Sequence, residues 1–203
     1  GLSKYYQTPQ PVPGGTYSEG ILGSFTNANP LYATNPVDVA VSRLIFAGLV
    51  TYDDRNQLVG GLAQDWSVDE RGTTYTVHLK PDLKWQDGRP LTAADVVFTY
   101  QLIQNPDAKS PLNPSWRGIT VKQIDARTVT FTLPSQLVSF PYSLTNGIVP
   151  KHILGGESMG ALRTLRFNSI EAIGAGPFKF TALEVTGGTI NLSCRSGIDV
   201  IGR

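Results

Sequence analysis

The sequence has one cysteine, Cys194, and two histidines in 203 residues. A single cysteine excludes an internal disulfide, so stability has to come from a packed core. No apolar run is long enough to cross a bilayer as a helix. No signal-peptide pattern stands at Gly1, so export implies a targeting segment outside these residues. Neither sign of charge is in excess. The net charge is +1 with 16% of residues charged, which gives no electrostatic footprint for nucleic acid or an acidic membrane surface. HExxH and CxxC are absent, and no acidic pair stands beside His78 or His152, so both histidines read as surface or hydrogen-bonded residues. What the chain does have is 40% hydrophobic residues, enough for one globular domain or slightly more. Its 21 glycines and 14 prolines predict many turns and short elements.

The stretch Leu62 to Tyr100, LAQDWSVDERGTTYTVHLKPDLKWQDGRPLTAADVVFTY, organises the rest. Tyr75, Val77 and Leu79 alternate with Thr74, Thr76 and His78, the period of a half-buried strand. Glu70-Arg71-Gly72 is turn chemistry, which makes Gln64 to Val68 the partner strand of a hairpin. Trp85 closes a second extended piece, and Asp87-Gly88 turns the chain. Thr92 stands at an N-cap with Asp95 three residues on, close to a capping box. Val96, Val97, Tyr100 and Ile103 then follow at helical spacing.

On either side the elements are shorter. Residues 1–15 carry three prolines without periodicity and read as an extended arm or tether. Thr16 to Leu22 is a strand candidate, and SFTNANPLYATNP is a loop. Pro36 opens a helix with Val37, Ala40, Val41, Leu44 and Ile45 on one face. Leu49 to Tyr52 is a strand. Asn105 to Arg117 reads as a loop with three prolines, and Ile119 to Ile124 pairs with Thr128 to Leu133 around Asp125-Ala126-Arg127. Thr189 to Ser193 is a further strand candidate.

Several motifs invite a sharper reading. Gly156-Glu157-Ser158-Met159-Gly160 matches G-x-S-x-G, but a nucleophile elbow needs a core strand before the serine and a histidine after the acid. Both histidines precede Ser158, so a loop is the reading. Gly174-Ala175-Gly176 lacks the remainder of a phosphate-binding pattern and reads as a turn. Trp66 and Trp85 alternate with apolar neighbours and are assigned to the core. Trp116, in the Pro-rich loop, is left open as a ring that stacks on a ligand. Arg117 and Lys122 read as solvated charges.

Asp65-Trp66, the TYTVHLK strand, Trp85, Asp87-Gly88 and LTAADVVFT, in that order and spacing, resemble the signature of the extracellular solute-binding proteins of peptide/nickel-type ABC importers, family 5. Flanking pieces are similar as well: NPL in the first loop, AGLVTYD, SFPYSLTNGIVPKH, and Ala175 to Phe180. The resemblance covers roughly Gly15 to Phe180, and CRSGIDVIGR has no counterpart. It implies a mixed α/β (α+β) fold, a fragment of the periplasmic-binding-protein-like class II type. Residues 16–48 would start a large lobe, 49–169 would form a small α/β domain, and 170–203 would return to the large lobe with an unmatched tail.

The same resemblance implies a substrate-binding component that captures peptide-like solutes outside the membrane and delivers them to an ABC permease. Hinge closure, with no bond made or broken, would be the mechanism. It implies no enzyme activity, no cofactor and no metal. The partners it implies are an oligopeptide or other small solute and the permease, with no nucleic acid. The protein would be a monomer in the periplasm or at the cell surface, tethered to the membrane at full length. The ligand wall would come from Ala33, Thr34, Asn35 and Pro36 and from Pro111, Leu112 and Asn113. A stand-alone protein-interaction module is the alternative, since strand-rich pieces with exposed edges dock other chains. An enzyme ranks third, because no nucleophile or acid/base pair survives inspection.

Overall fold

The structure is a computed structural model that describes residues 16–20, 25–186 and 189–196, with side chains over 25–179. The expected arm over 1–15, the end of the first strand candidate at Ile21-Leu22, and 197–203 of the unmatched tail lie outside the described residues. In chain order the strands are β1 (Thr16–Gly20), β2 (Val50–Tyr52), β3 (Leu58–Gly60), β4 (Ala63–Val68), β5 (Thr74–Leu79), β6 (Thr120–Asp125), β7 (Thr128–Thr132), β8 (Phe178–Thr186) and β9 (Thr189–Ser196). The helices are α1 (Pro36–Ile45), α2 (Ala93–Gln104), α3 (Asn113–Trp116), α4 (Phe140–Ser143) and α5 (Lys151–Leu154). The architecture is mixed α/β.

The alternation in TYTVHL sets the central sheet, an antiparallel array in the order β4-β5-β7-β6. Tyr75 lies opposite Phe131 and Val77 opposite Val129. Successive side chains point to opposite faces, so Tyr75, Val77, Leu79, Val129 and Phe131 share one face, and all are buried. Thr74, Thr76, Thr128 and Thr130 fall on the other face and stay half-buried. The β4–β5 turn is built by Asp69, which accepts the N–H groups of Thr73 and Thr74 at 3.0 and 3.1 Å while Gly72 takes φ 71°. Those backbone donors, Thr74 first, hold the Asp69 carboxyl below its ordinary value.

α2 covers the apolar face with Val96, Tyr100 and Ile103 and packs on β6 and β7. Its start is a capping box. Thr92 Oγ1 accepts from the Ala94 N–H at 3.3 Å, and Asp95 Oδ2 accepts from the Thr92 N–H at 3.0 Å. The buried Asp95 carboxylate also accepts from Trp85 Nε1 at 3.4 Å and from the Lys151 N–H at 2.9 Å. One carboxylate therefore fixes the extended piece before α2, α2 itself, and the start of α5. Trp85 is 1% exposed. Trp66 differs from expectation: it sits on β4 at the sheet edge, half-buried, with only part of its ring against the core.

The Pro-rich stretch 105–117, expected as a loop, carries a 3-10 turn at Pro106–Ala108 and then α3. Trp116 is thereby placed in the core at 2% exposure, its ring 4.1 Å from that of Tyr100, with Phe131 and Phe140 at 6.1 and 5.7 Å. The ring left open as one that stacks on a ligand is thus packed in the core. A β2–β3 hairpin flanks the central sheet, and its second strand was missed because LVG is too short to show a period. A third sheet, ordered β1-β9-β8, joins the two ends of the chain.

Gln86 ties this third sheet to the remainder. Its Nε2 donates to the backbone oxygens of Ile45, Gly176 and Phe178 at 3.2, 3.1 and 2.5 Å, and its Oε1 accepts from the Gly174 N–H at 2.9 Å. The approach is so close that a Cβ on Gly174 would lie 2.0 Å from the Ile45 carbonyl oxygen.

Trp85→Ala should cost about 3–5 kcal/mol in urea unfolding, and Trp66→Ala less than half as much, because only the first ring is enclosed. Equal losses would mean that the two rings are equally enclosed. Gly174→Ala should shift the midpoint far more than Gly156→Ala, since backbone blocks the first position and nothing lies within 4 Å at the second. Matching midpoints would refute the packing at Gly174.

Candidate functional site

The first loop is pinned at its base by Asn29. Its Oδ1 accepts from the Leu31 N–H at 2.9 Å, and its Nδ2 donates to Asn168 Oδ1 at 3.0 Å. The Ala28 N–H donates to the Asn168 carbonyl at 2.7 Å. Both asparagines are buried, so each pays for desolvation with hydrogen bonds inside the chain. The loop then runs into α1. Asn35 caps that helix: Oδ1 accepts from the Asp38 N–H and Nδ2 donates to Asp38 Oδ2, both at 2.9 Å. Asp38, itself buried, also receives the Thr26 N–H at 2.9 Å and the Thr26 hydroxyl.

The loop before α3 is sewn to this one. Buried Ser110 donates its hydroxyl to the Leu31 carbonyl at 2.5 Å and accepts from the Leu112 N–H at 3.2 Å. Tyr32 donates its phenol to the Ala108 carbonyl at 2.7 Å. Burial raises the Tyr32 pKa against the opposing charge of Arg163, so the phenol remains a donor through the neutral range.

A groove of about 290 Å³ lies between these loops, α1 and residues 142–147. Pro30, Ala33, Val39, Leu112 and Trp116 give it an apolar lining. Arg43, Ser115, Tyr142 and Asn146 add polar groups, and Arg43 is the one charged residue among those that line it. Gly147 brings the far side in: it bridges to Gly48, and a Cβ there would stand 2.9 Å from Pro30 and Phe46.

Of the residues expected at a ligand wall, Ala33 and Leu112 line this groove. Thr34, Asn35 and Pro36 are exposed at the start of α1 outside the lining, and Asn35 commits its side chain to the cap. Pro111 is exposed and outside the lining too. Asn113 is buried, donates to the Ile103 and Gln104 carbonyls at 3.1 and 3.2 Å, and accepts from Arg117 Nε at 3.0 Å. Sequence reasoning did not select Arg43 or Tyr142. The one signal for Arg43 was a basic residue in the last turn of the helix, and Tyr142 lay within a family-like segment with no pattern of its own.

A larger concavity, about 540 Å³, opens at the strand ends around Asp65, His78 and Arg127. Its polar groups already serve one another: His78 Nδ1 meets Asp65 Oδ1 at 2.5 Å, and Arg127 donates to the Leu79 carbonyl and to Gln64. The second histidine, His152, pairs its Nε2 with Asp87 Oδ2 at 2.6 Å. Burial alone would raise the Asp87 carboxyl, but the His152 hydrogen bond, the Arg89 N–H and the charges of both residues bring it below its ordinary value. Among the described residues no three ligand-type side chains converge as a metal site would need. Ser158 is exposed between α5 and the 3-10 stretch Met159–Thr164, so no strand presents it as a nucleophile elbow would.

Residues 57–192 match the family model of bacterial extracellular solute-binding proteins, family 5. The chain belongs to that family. The match continues beyond Phe180, where the motif resemblance fades, into β9. The oligopeptide-binding protein AppA of Bacillus subtilis is 31% identical over 174 residues, which is 84% of this chain and 32% of AppA. Its structure in complex with a nonapeptide superposes with a TM-score of 0.76 over 83% of this chain and 34% of that one, at 30% identity. NikZ of Campylobacter jejuni, in complex with Ni(L-His), gives a TM-score of 0.72 at 31% identity, over 80% of this chain and 32% of NikZ. AgaA of A. tumefaciens R10, in complex with agropinic acid, gives 0.74 at 25% identity over 89% of this chain and 35% of AgaA. The chain thus spans about a third of the length of these relatives. Family 5 proteins are extracytoplasmic solute-binding proteins rather than enzymes.

If the two loops form one unit, removing either cross-loop bond should weaken the other. Ser110→Ala is expected to cost about 1–3 kcal/mol and Tyr32→Phe about 1 kcal/mol, with the double variant departing from their sum by at least about 0.5 kcal/mol. Strict additivity in chemical unfolding would show that the loops are held independently.

Proposed function

We propose that this chain forms one side of a solute-binding cleft in the substrate-binding component of an ABC importer. One observation carries the reading: two loops far apart in sequence are hydrogen-bonded into one body, and Ala33 from the first and Leu112 from the second line the same groove. The wall extends from Thr34, Asn35 and Pro36 to Pro111 and Asn113, with the capped start of α1 and the Asn113 side chain holding its edges. Residues 16–48 and 170–203 belong to a large lobe and 49–169 to a small domain, with Gln86 at their meeting point. The opposing wall comes from the two-thirds of the relatives that this chain does not span. Closure of the two walls captures a peptide-like solute, and the loaded monomer, tethered outside the membrane, delivers it to the permease.

A site of this kind buries most of a ligand only when both walls touch it. Isothermal titration of the 203-residue chain with pooled di- to pentapeptides should therefore give no measurable heat. Losing half the contacts takes a micromolar site past millimolar. Nuclear magnetic resonance sees such weak binding. Peptides at about 20 mM should move the amide signals of Ala33, Leu112, Ser115 and Gly147 along saturable curves. Unmoved groove signals, or shifts confined to the strand ends near His78, would refute this wall.

A further inference from the structure

The groove contains a charge that the described residues leave unanswered. Arg43 is exposed in the last turn of α1, and its guanidinium makes no hydrogen bond or ion pair among the described residues. No aspartate or glutamate lines the groove. The neighbouring polar residues reinforce this sign, since Ser115 and Tyr142 offer hydroxyl donors that are also without a partner among the described residues. At the other cavity the cation is paired: Arg127 donates to the Leu79 carbonyl and to Gln64. A guanidinium at a helix C-terminus does gain from the helix dipole, which accounts for a cation at the end of α1. The dipole does not account for a groove whose lining holds one positive charge, hydroxyl donors and no acid.

We infer that Arg43 makes this groove selective for a carboxylate carried next to an apolar group. The inference rests on the solute-cleft reading above and adds the chemistry of the solute to it. The guanidinium presents paired N–H donors that match the two oxygens of a carboxylate. Ser115 and Tyr142 supply further donors around the same anion. Ala33, Val39 and Leu112 supply the apolar surface for the group beside it. A solute with a free carboxylate, such as a peptide C-terminus or an organic acid, meets both demands, while a neutral amide meets only the second. A cationic solute is repelled.

The test compares trialanine and trialanine amide, both N-acetylated so that the amide is neutral and the acid carries only its carboxylate, with sodium propionate, each titrated into the isotope-labelled chain with its amide signals followed. Trialanine should shift the signals of Arg43, Ser115 and Gly147 with an affinity about five- to tenfold above that of the amide. Arg43→Gln should abolish that difference, and Arg43→Lys should restore part of it, since charge returns without the fork. Added salt should weaken trialanine and leave the amide unchanged. Propionate shifting the same signals as strongly as trialanine would identify an organic acid as sufficient, and a weaker response would identify the peptide as the source; both support the carboxylate site. Equal affinities for trialanine and its amide, with groove signals moving in both, would overturn this inference and leave the solute wall standing. A difference that persists in Arg43→Gln would overturn the role of Arg43. Groove signals that respond to none of the three would overturn the wall and this inference together.

Discussion

The carboxamide of Gln86 is the interaction on which the arrangement of this chain depends. It receives one backbone N–H and answers three carbonyls, on the end of α1, on the glycine turn before β8, and on β8 itself. The main chains around it reinforce the joint: the Gln86 N–H donates to Gly174 at 3.0 Å, and the Gly176 N–H donates to Ile45 at 2.8 Å. Glycine is required at 174 and 176 because any Cβ would enter the Ile45 backbone. A residue in the turn before α2 therefore decides where the returning strand crosses, and with it where α1 stands relative to the central sheet.

That placement makes the groove possible. α1 gives the groove Val39 and Arg43, and the loop ahead of it gives Pro30 and Ala33. The opposite side comes from α3, whose Trp116 is locked between Tyr100, Phe131 and Phe140 in the core under α2. The same ring is at once a core residue and the floor of the groove. Burying an aromatic of that size stabilises the core under α2 and makes this part of the groove lining rigid. The hydrogen bonds from Ser110 and Tyr32 then fix the distance between the two sides.

Much of this was legible in the sequence, and the parts that were not have physical reasons. The alternation through Tyr75, Val77 and Leu79 and the Thr92–Asp95 cap read correctly because each is a local pattern whose consequence stays local. The ordered motifs from Asp65 to Thr99 carried the family. The stretch that carries Trp116 was read as loop because of its three prolines, whereas Pro114 sits inside the first turn of α3, where a missing N–H costs nothing. Trp66 misled in the opposite direction: alternation says which face a ring occupies but not that its strand lies at the sheet edge. Asn29, Gln86 and Asn168 left no sequence signal, because the partners that join them to other segments lie between 41 and 139 residues away. Arg43 stayed hidden for the converse reason, since a missing partner is visible only once every neighbour is placed.

The distribution of hydrogen bonds separates scaffold from surface more sharply than burial does. Asn29, Asn35, Gln86, Asn113 and Asn168 commit both ends of their carboxamides to their own chain. Asn29, Gln86, Asn113 and Asn168 each tie two segments together, while Asn35 gives both ends to Asp38 at the start of α1. The groove holds the opposite set. Arg43, Ser115 and Tyr142 make no side-chain hydrogen bond among the described residues. Such groups cost little while solvated, and they become specific only when an opposing wall excludes water and leaves them a single partner. In the two-walled cleft proposed above, closure rather than folding would be the step that satisfies these donors.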